Sequence, residues 1–387
     1  MRNSKRLESV YALICVLLPV FSIYSSPIPG FDLGTVVVIF FFFICIINNA
    51  NFKIDPFLLA LITFTFVNTI PAIIGITQAY SPVSSILMRT LRFVLLLFIV
   101  IGFGYTSYYS SSRYIGALRF VSLLATGYIY LQSAFFRLFG FKLRNVFGPI
   151  KGGGEFVSTL GEYEYVYRPP SFFLEPSHVC YFLIPYLCFV LFSKKTVEKK
   201  DFIEALFITG GILLTTSGQG LVIVSLCWFI WIILQVKTIK LENIILIIIS
   251  FIILTKTIDL SYTINRVFSS DDFNAVEARS GGYRLVSEMP IAQLILGNGF
   301  GNYPEDTYFT SYADILYCTG IIGLLCVLLL FFSLFLRGSV FQKVFIVIVL
   351  TIMSSSGIYT ASFLCFYLPL LLEKDRNPQE LLSGPAN

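Results

Sequence analysis

The sequence predicts an all-α polytopic integral membrane protein, and three observations carry that reading. The mean hydropathy is +0.83. Charged residues make up 13% of the 387 residues, against about 25% in soluble domains. Apolar runs of membrane-spanning length recur along the whole chain, about twelve in number. Aromatic residues, at 17%, suit spanning helices with interfacial belts. The net charge of +5 is no sign of nucleic-acid binding, because Lys and Arg sit mostly at helix ends.

In order, the spans fall near 9–25, 32–49, 56–77, 86–104, 114–136, 179–193, 202–217, 219–236, 242–258, 311–336, 340–356 and 358–373. The first follows Met1-Arg-Asn-Ser-Lys-Arg6 and resembles a signal peptide. It lacks a clear small-residue cleavage site and further spans follow, so it reads as an uncleaved first helix. The pair meeting at 217–220 has the shortest turn. Cys15, Cys45, Cys180, Cys188, Cys227, Cys318, Cys326 and Cys365 all fall inside spans or at their edges, with neither a loop pair for a disulfide nor a zinc spacing. They read as small core residues.

Loop charges set the orientation. With the N-terminus inside, the inner segments carry Lys194, Lys195, Lys199, Lys200, Lys237, Lys240, Arg337, Lys343, Lys374 and Arg376, while the short outer turns 26–31, 77–85, 217–220 and 356–358 carry no Lys or Arg. Both termini are then cytoplasmic. Two long extracytoplasmic loops remain, 137–178 and 259–310, in one membrane domain spanning 1–387. The first loop holds Arg137, Lys142, Arg144, Lys151 and Arg168. Long loops weigh little in the positive-inside rule, and such cations can serve an anionic ligand.

The chemistry concentrates in Arg168-Pro-Pro-Ser-Phe-Phe-Leu-Glu-Pro-Ser-His178, which holds an arginine, a carboxylate and the only histidine at the start of an apolar helix. Ionisable groups are costly near lipid and mark sites. Pro176 suits the first helical position, and the helix start favours a charged Glu175, able to accept a proton or orient a sugar hydroxyl. Arg168 offers a bidentate fork for phosphate. The plainer reading is an Arg168–Glu175 pair pinning the loop, with His178 a simple helix-start residue. In the second loop, Arg279 and Arg284 flank Gly281-Gly282, read as a turn that lets backbone approach a ligand. Gly297-Asn-Gly299-Phe-Gly301 lacks the strand-then-helix context of a dinucleotide fingerprint and reads as a tight turn where the loop meets the bilayer. Asp271-Asp272 reads as an exposed acidic turn rather than a metal site. Arg89 and Arg92 share one face near the outer end of the fourth span, either lining an outward cavity or snorkelling to the interface. Arg113 and Arg119 read as inner anchors. The aromatic residues Tyr163, Tyr165, Tyr167, Phe172 and Phe173 suit either sugar rings or an interfacial belt.

The order of these features resembles the Wzy-type O-antigen or capsule repeat-unit polymerases, relatives of the O-antigen ligases. The segments that carry the resemblance are Tyr167–His178, Thr215-Thr-Ser-Gly-Gln-Gly220, Ser280-Gly-Gly-Tyr-Arg284, Leu296–Asn302 and Tyr312–Gly323, and it covers roughly 115–335. It implies an architecture like that of the GT-C membrane glycosyltransferases, in the bacterial cytoplasmic membrane with the active site facing outside. It implies glycosyl transfer between undecaprenyl-diphosphate-linked glycans and a chain-length regulator as partner; no cofactor is expected, and the absence of a ligand spacing predicts no metal. Diphosphate and glycan contacts then fall on Arg168 and Arg284, with Arg279 a close alternative. The ligases place a His after the glycine-rich turn; Asp314 occupies about that region here, which favours polymerase over ligase. The donor is already activated, so catalysis needs cations on the leaving diphosphate and one deprotonated hydroxyl. Glu175 is the first candidate base, with His178 and Asp314 behind it. A flippase for lipid-linked oligosaccharide would instead show charges within spans and inverted repeats, and a membrane acyltransferase a better-placed His.

Overall fold

The structure, a computed structural model, describes residues 2–28, 31–47, 56–74, 81–98, 111–147, 167–194, 196–235, 242, 275–302, 304, 307–357 and 361–372. Its elements there are helices: α1 Arg2–Phe21, α2 Leu33–Ile47, α3 Pro56–Ile73, α4 Val83–Leu97, α5 Ser111–Phe139, α6 Pro176–Phe192, α7 Lys199–Leu214, α8 Gly218–Gln235, α9 Ala275–Ser287, α10 Ile291–Leu296, α11 Ser311–Arg337, α12 Val340–Met353 and α13 Ala361–Leu371. A helix lies in every span read from the sequence except 242–258, of which the described residues include only Glu242. Three stretches among the described residues are long and apolar enough to cross a membrane: Ser112–Phe139, Gly218–Gln235 and Ser311–Arg337. The shorter apolar stretches are Ser9–Phe21, Leu33–Ile44, Ile62–Ile73, Pro176–Phe192, Val340–Met353 and Ser362–Leu371.

The chain divides into two compact units. Unit 1 comprises Met1–Tyr114, Ala275–Arg337 and Leu350–Glu373, and unit 2 comprises Ile115–Asn274, Gly338–Val349 and Lys374–Asn387. In lipid the hydrophobic effect does not drive helices together, so close packing and buried polar contacts must. Unit 1 begins with the α1–α2 pair. Gly34 lets α2 approach α1, since a Cβ there would meet Leu18 at 3.0 Å. Asp32 starts α2 by accepting hydrogen bonds from the Thr35 amide and hydroxyl, both at 2.8 Å. The Tyr114 hydroxyl donates to the Phe366 carbonyl at 2.7 Å.

Helix α11 is broken at Gly320, whose φ of 66° and ψ of −171° lie in a region essentially reserved for glycine. The second loop returns to this break. The Asn298 and Gly299 amides donate to the Tyr317 and Cys318 carbonyls just before it, at 2.8 and 2.9 Å, and the Phe300 amide donates to Asn68 in α3. Asn298 and Asn302 are buried, 2% and 0% exposed. The glycine-rich turn is therefore tight, as the sequence implied, but it packs among α3, α4 and α11 rather than lying at a loop edge. Irregular backbone inside an apolar bundle persists only where protein satisfies its polar groups.

One further sequence expectation is corrected in unit 1. Gly281-Gly282 is not a turn but lies inside α9, and the close approach it permits is to Phe309 and Ala313, at 2.8 and 3.0 Å from a Cβ on Gly282. Arg113 is held by Ser9 in α1.

Unit 2 packs α5, α6, α7 and α8 together. Gly211 in α7 seats Thr126 of α5, whose Cγ2 would lie 2.6 Å from a Cβ there. Helix α6 is buried almost throughout. Arg119 forms a two-pronged ion pair with Glu204, which also accepts from the Tyr186 hydroxyl at 2.6 Å. Trp228 donates to the Thr209 hydroxyl at 2.9 Å.

Candidate functional sites in the two units

In unit 2 the segment 167–178 is built onto α5 and α6. Two consecutive prolines, Pro169 and Pro170, hold the approach extended, and the chain then turns at Ser171, whose φ is +55°. The Gln132 side-chain amide clasps that turn. It accepts from the Ser171 amide at 2.8 Å and donates to the Ser171 carbonyl at 3.0 Å. Asn145 donates to the Phe173 carbonyl at 2.7 Å, and the Ser171 hydroxyl donates to Ala125 in α5. These buried bonds fix the backbone on either side of Phe172.

Three candidates follow from that frame. Arg168 is half-buried, and its charge reaches Cys180 at the start of α6. Glu175 is exposed in the position that precedes α6, with Pro176 at the helix start as the sequence implied, and it accepts from the Ser177 hydroxyl at 3.0 Å. His178, half-buried in the first turn, lies within electrostatic reach of Glu175, with its ring 6.4 Å from that of Tyr181. Tyr167 does not present a free ring. It is buried, 4.8 Å from the Phe136 ring, and burial beside Tyr128 pushes its phenol above the ordinary value. Phe173 is likewise buried against Phe182, and Phe172 stacks on Tyr128. These aromatic residues pack the segment onto the bundle. Tyr163, Tyr165 and Lys151 lie outside the described residues, as do Asp271 and Asp272.

In unit 1 the structure brings Arg89 and Asp314 to the glycine-rich turn. One Arg89 nitrogen donates both to the Ser81 hydroxyl at 3.0 Å and to the Gly301 carbonyl at 2.8 Å. Its charge reaches Asp314 in the first turn of α11, where the Cys318 thiol donates to the carboxylate at 3.2 Å. Arg92 faces Asp32 across 3.6 Å. Both arginines thus bond protein, and neither sequence reading, cavity lining or snorkelling, anticipated those partners. Arg284 points away from any such cluster: it is 82% exposed and pairs with Glu288 on its own helix. Arg279, three residues before the buried Gly282, is half-buried on the face that meets the start of α11.

Sequence reasoning missed Asp32, Gln132 and Cys318. Asp32 was findable, because an Asp three residues before Thr35 at the head of an apolar run is a capping signal. Among the described residues, no group of three or more His, Cys, Asp or Glu side chains is placed to hold a metal. No family model, curated protein or solved structure matches the chain.

Proposed function

We propose that this protein polymerises lipid-linked glycan repeat units by glycosyl transfer at the outer face of the bacterial cytoplasmic membrane, as a twelve-span enzyme with both termini inside. The observation that carries the reading is the clasped segment 167–178, which holds Arg168 and Glu175 at the head of α6. Arg168 stabilises the departing diphosphate of the undecaprenyl-linked donor. Glu175, exposed and oriented by Ser177, takes the proton of the acceptor hydroxyl as its oxygen bonds to the anomeric carbon. The bond from that carbon to the diphosphate breaks, and the lipid diphosphate leaves with the electron pair. A chain-length regulator is the expected protein partner. The O-antigen ligase reaction remains an alternative acceptor chemistry for the same site.

The test is a ladder assay with purified protein and undecaprenyl-diphosphate-linked repeat units. Arg168→Ala and Glu175→Gln are expected to abolish the ladder while leaving the protein folded. A full ladder from both variants would remove these residues from catalysis.

A second reading is translocation of the lipid-linked unit. One observation favours it: the break in α11, the buried glycine-rich turn, and Arg89, Arg92 and Asp314 within unit 1 resemble the discontinuous helices and in-span charges of transporters. Movement of lipid-linked units across liposomes without a ladder would establish it.

A further inference from the structure

We propose that α10 is a re-entrant membrane contact. The chain dips into the bilayer beside α11, and the face formed by Ile291, Ile295 and Leu296 meets the acyl chains of the leaflet at the Ser311 end of that helix. The inference stands on α11 as a spanning helix and holds under either reading of the function above.

Depth comes first. A helix needs about 20 residues to cross the hydrocarbon layer. Helix α11 has 27 residues, so every window of about 20 within it includes Cys318 and Gly320. Those two positions therefore lie inside the layer however α11 is set along it. The end of α10 is held against both. A Cβ on Gly320 would lie 2.2 Å from the Ile295 carbonyl oxygen, and one on Gly297 would lie 2.3 Å from the Cys318 carbonyl oxygen.

The chain reaches this depth from one end of α11 and leaves by the same end. Gly281 of α9 lies beside Thr307, and Gly282 lies against Phe309 and Ala313 at the head of α11. Val286, one turn further on, packs with Tyr317 and Cys318. After α10 the Asn298 and Gly299 amides bond the Tyr317 and Cys318 carbonyls, and the chain then returns to Ser311. Both limbs are on the Ser311 side, which makes the segment re-entrant rather than spanning. Its irregular part is bonded to α3 and α11, as burial in a membrane requires.

What the segment exposes at that depth is apolar. Ile291 is 77% exposed, Ile295 42% and Leu296 60%. Ile291 and Ile295 are one turn apart, and Leu296 adjoins them on the same side of the helix. The surface continues onto α11, where Ile321 and Ile322, directly after Gly320, are exposed too. Charge stops where the dip begins: from Met289 to Pro304 the sequence has no Asp, Glu, Lys, Arg or His. The exposed pair Arg284–Glu288 is confined to α9, so water meets that edge of the hairpin and lipid meets α10. Bulky Ile and Leu suit acyl chains rather than another helix, because helix contacts in membranes favour small residues.

The full chain in nanodiscs tests this by fluorescence. The single variants are Ile291→Trp, Ile295→Trp and Leu296→Trp, with Ile322→Trp as the reference on α11. Emission from the native Trp228 and Trp231 is read from wild type and subtracted. Lipids brominated at mid-chain quench a tryptophan that touches acyl chains, and iodide quenches one that touches water. Three positions on α10 guard against a variant that fails to fold, and each is read only at a wild-type melting temperature. Ile295→Trp and Leu296→Trp are expected to lose as much of their added emission to brominated lipid as Ile322→Trp does, and none to iodide, with Ile291→Trp following them. Quenching by iodide and not by brominated lipid would put the face in water and overturn the proposal. Quenching by neither would put it under protein, such as a second copy of the chain, and would overturn it equally. An unquenched Ile322→Trp would remove the lipid-facing surface of α11 on which the proposal rests. None of these outcomes depends on whether the protein makes a glycan ladder.

Discussion

Arg89 and Gly301 are joined by a hydrogen bond of 2.8 Å across a sequence separation of 212 residues. That bond ties α4 to the glycine-rich turn that fills the break in α11. Removing the guanidinium strands the buried Gly301 carbonyl. Arg89→Ala is expected to destabilise the protein by about 1.5–3 kcal/mol, the range for hydrogen bonds to charged groups. A lowered denaturation midpoint in detergent checks this, and an unchanged midpoint would mean the turn holds without its clamp.

The break in α11 depends on glycine itself. Gly320→Ala should cost at least about 1–3 kcal/mol from backbone strain alone, and the added Cβ would also strike the Ile295 carbonyl. Expression yield and melting temperature report it. A stable Gly320→Ala protein would show that α11 can run straight.

Gln132 serves both sides of the Ser171 peptide. Gln132→Leu keeps roughly the same volume but leaves the Ser171 amide and carbonyl unbonded, at about 1–3 kcal/mol for a buried group stranded in this way. Loosening of Arg168 follows, so the ladder should weaken along with stability. Retained activity at normal stability would show that the clasp does not position Arg168.

Glu204 receives Arg119 and Tyr186 in unit 2. With Arg119 38% exposed at its side chain, solvent screens the pair and the coupling should be modest, about 1 kcal/mol. A double-mutant cycle on Arg119→Met and Glu204→Gln measures it, and a coupling near zero would assign the contact to packing alone.

Much of this was legible in the sequence, and the reason is local. Span positions follow from runs of apolar residues, so α2 at Leu33–Ile47 sits inside the expected 32–49 and α11 matches its expected span closely. The start of α6 was legible too, because Pro after Glu175 is a local signal. What escaped was set by distant partners. Gly281-Gly282 looks like a turn by composition, yet it lies in a helix, where Gly282 lets Phe309 and Ala313 approach closely. The break at Gly320 is bridged by amides some twenty residues upstream, which no window of sequence reveals. The packing of Tyr167 against Phe136 in α5 is likewise set by a partner distant in sequence.

The most direct test of the central claim uses the wild-type protein alone, reconstituted with undecaprenyl-diphosphate-linked repeat units and no nucleotide sugar. A ladder of glycans growing by whole repeat units, with release of undecaprenyl diphosphate, is the predicted result. Repeat units recovered unchanged, whether left in place or moved to the other leaflet, would contradict it.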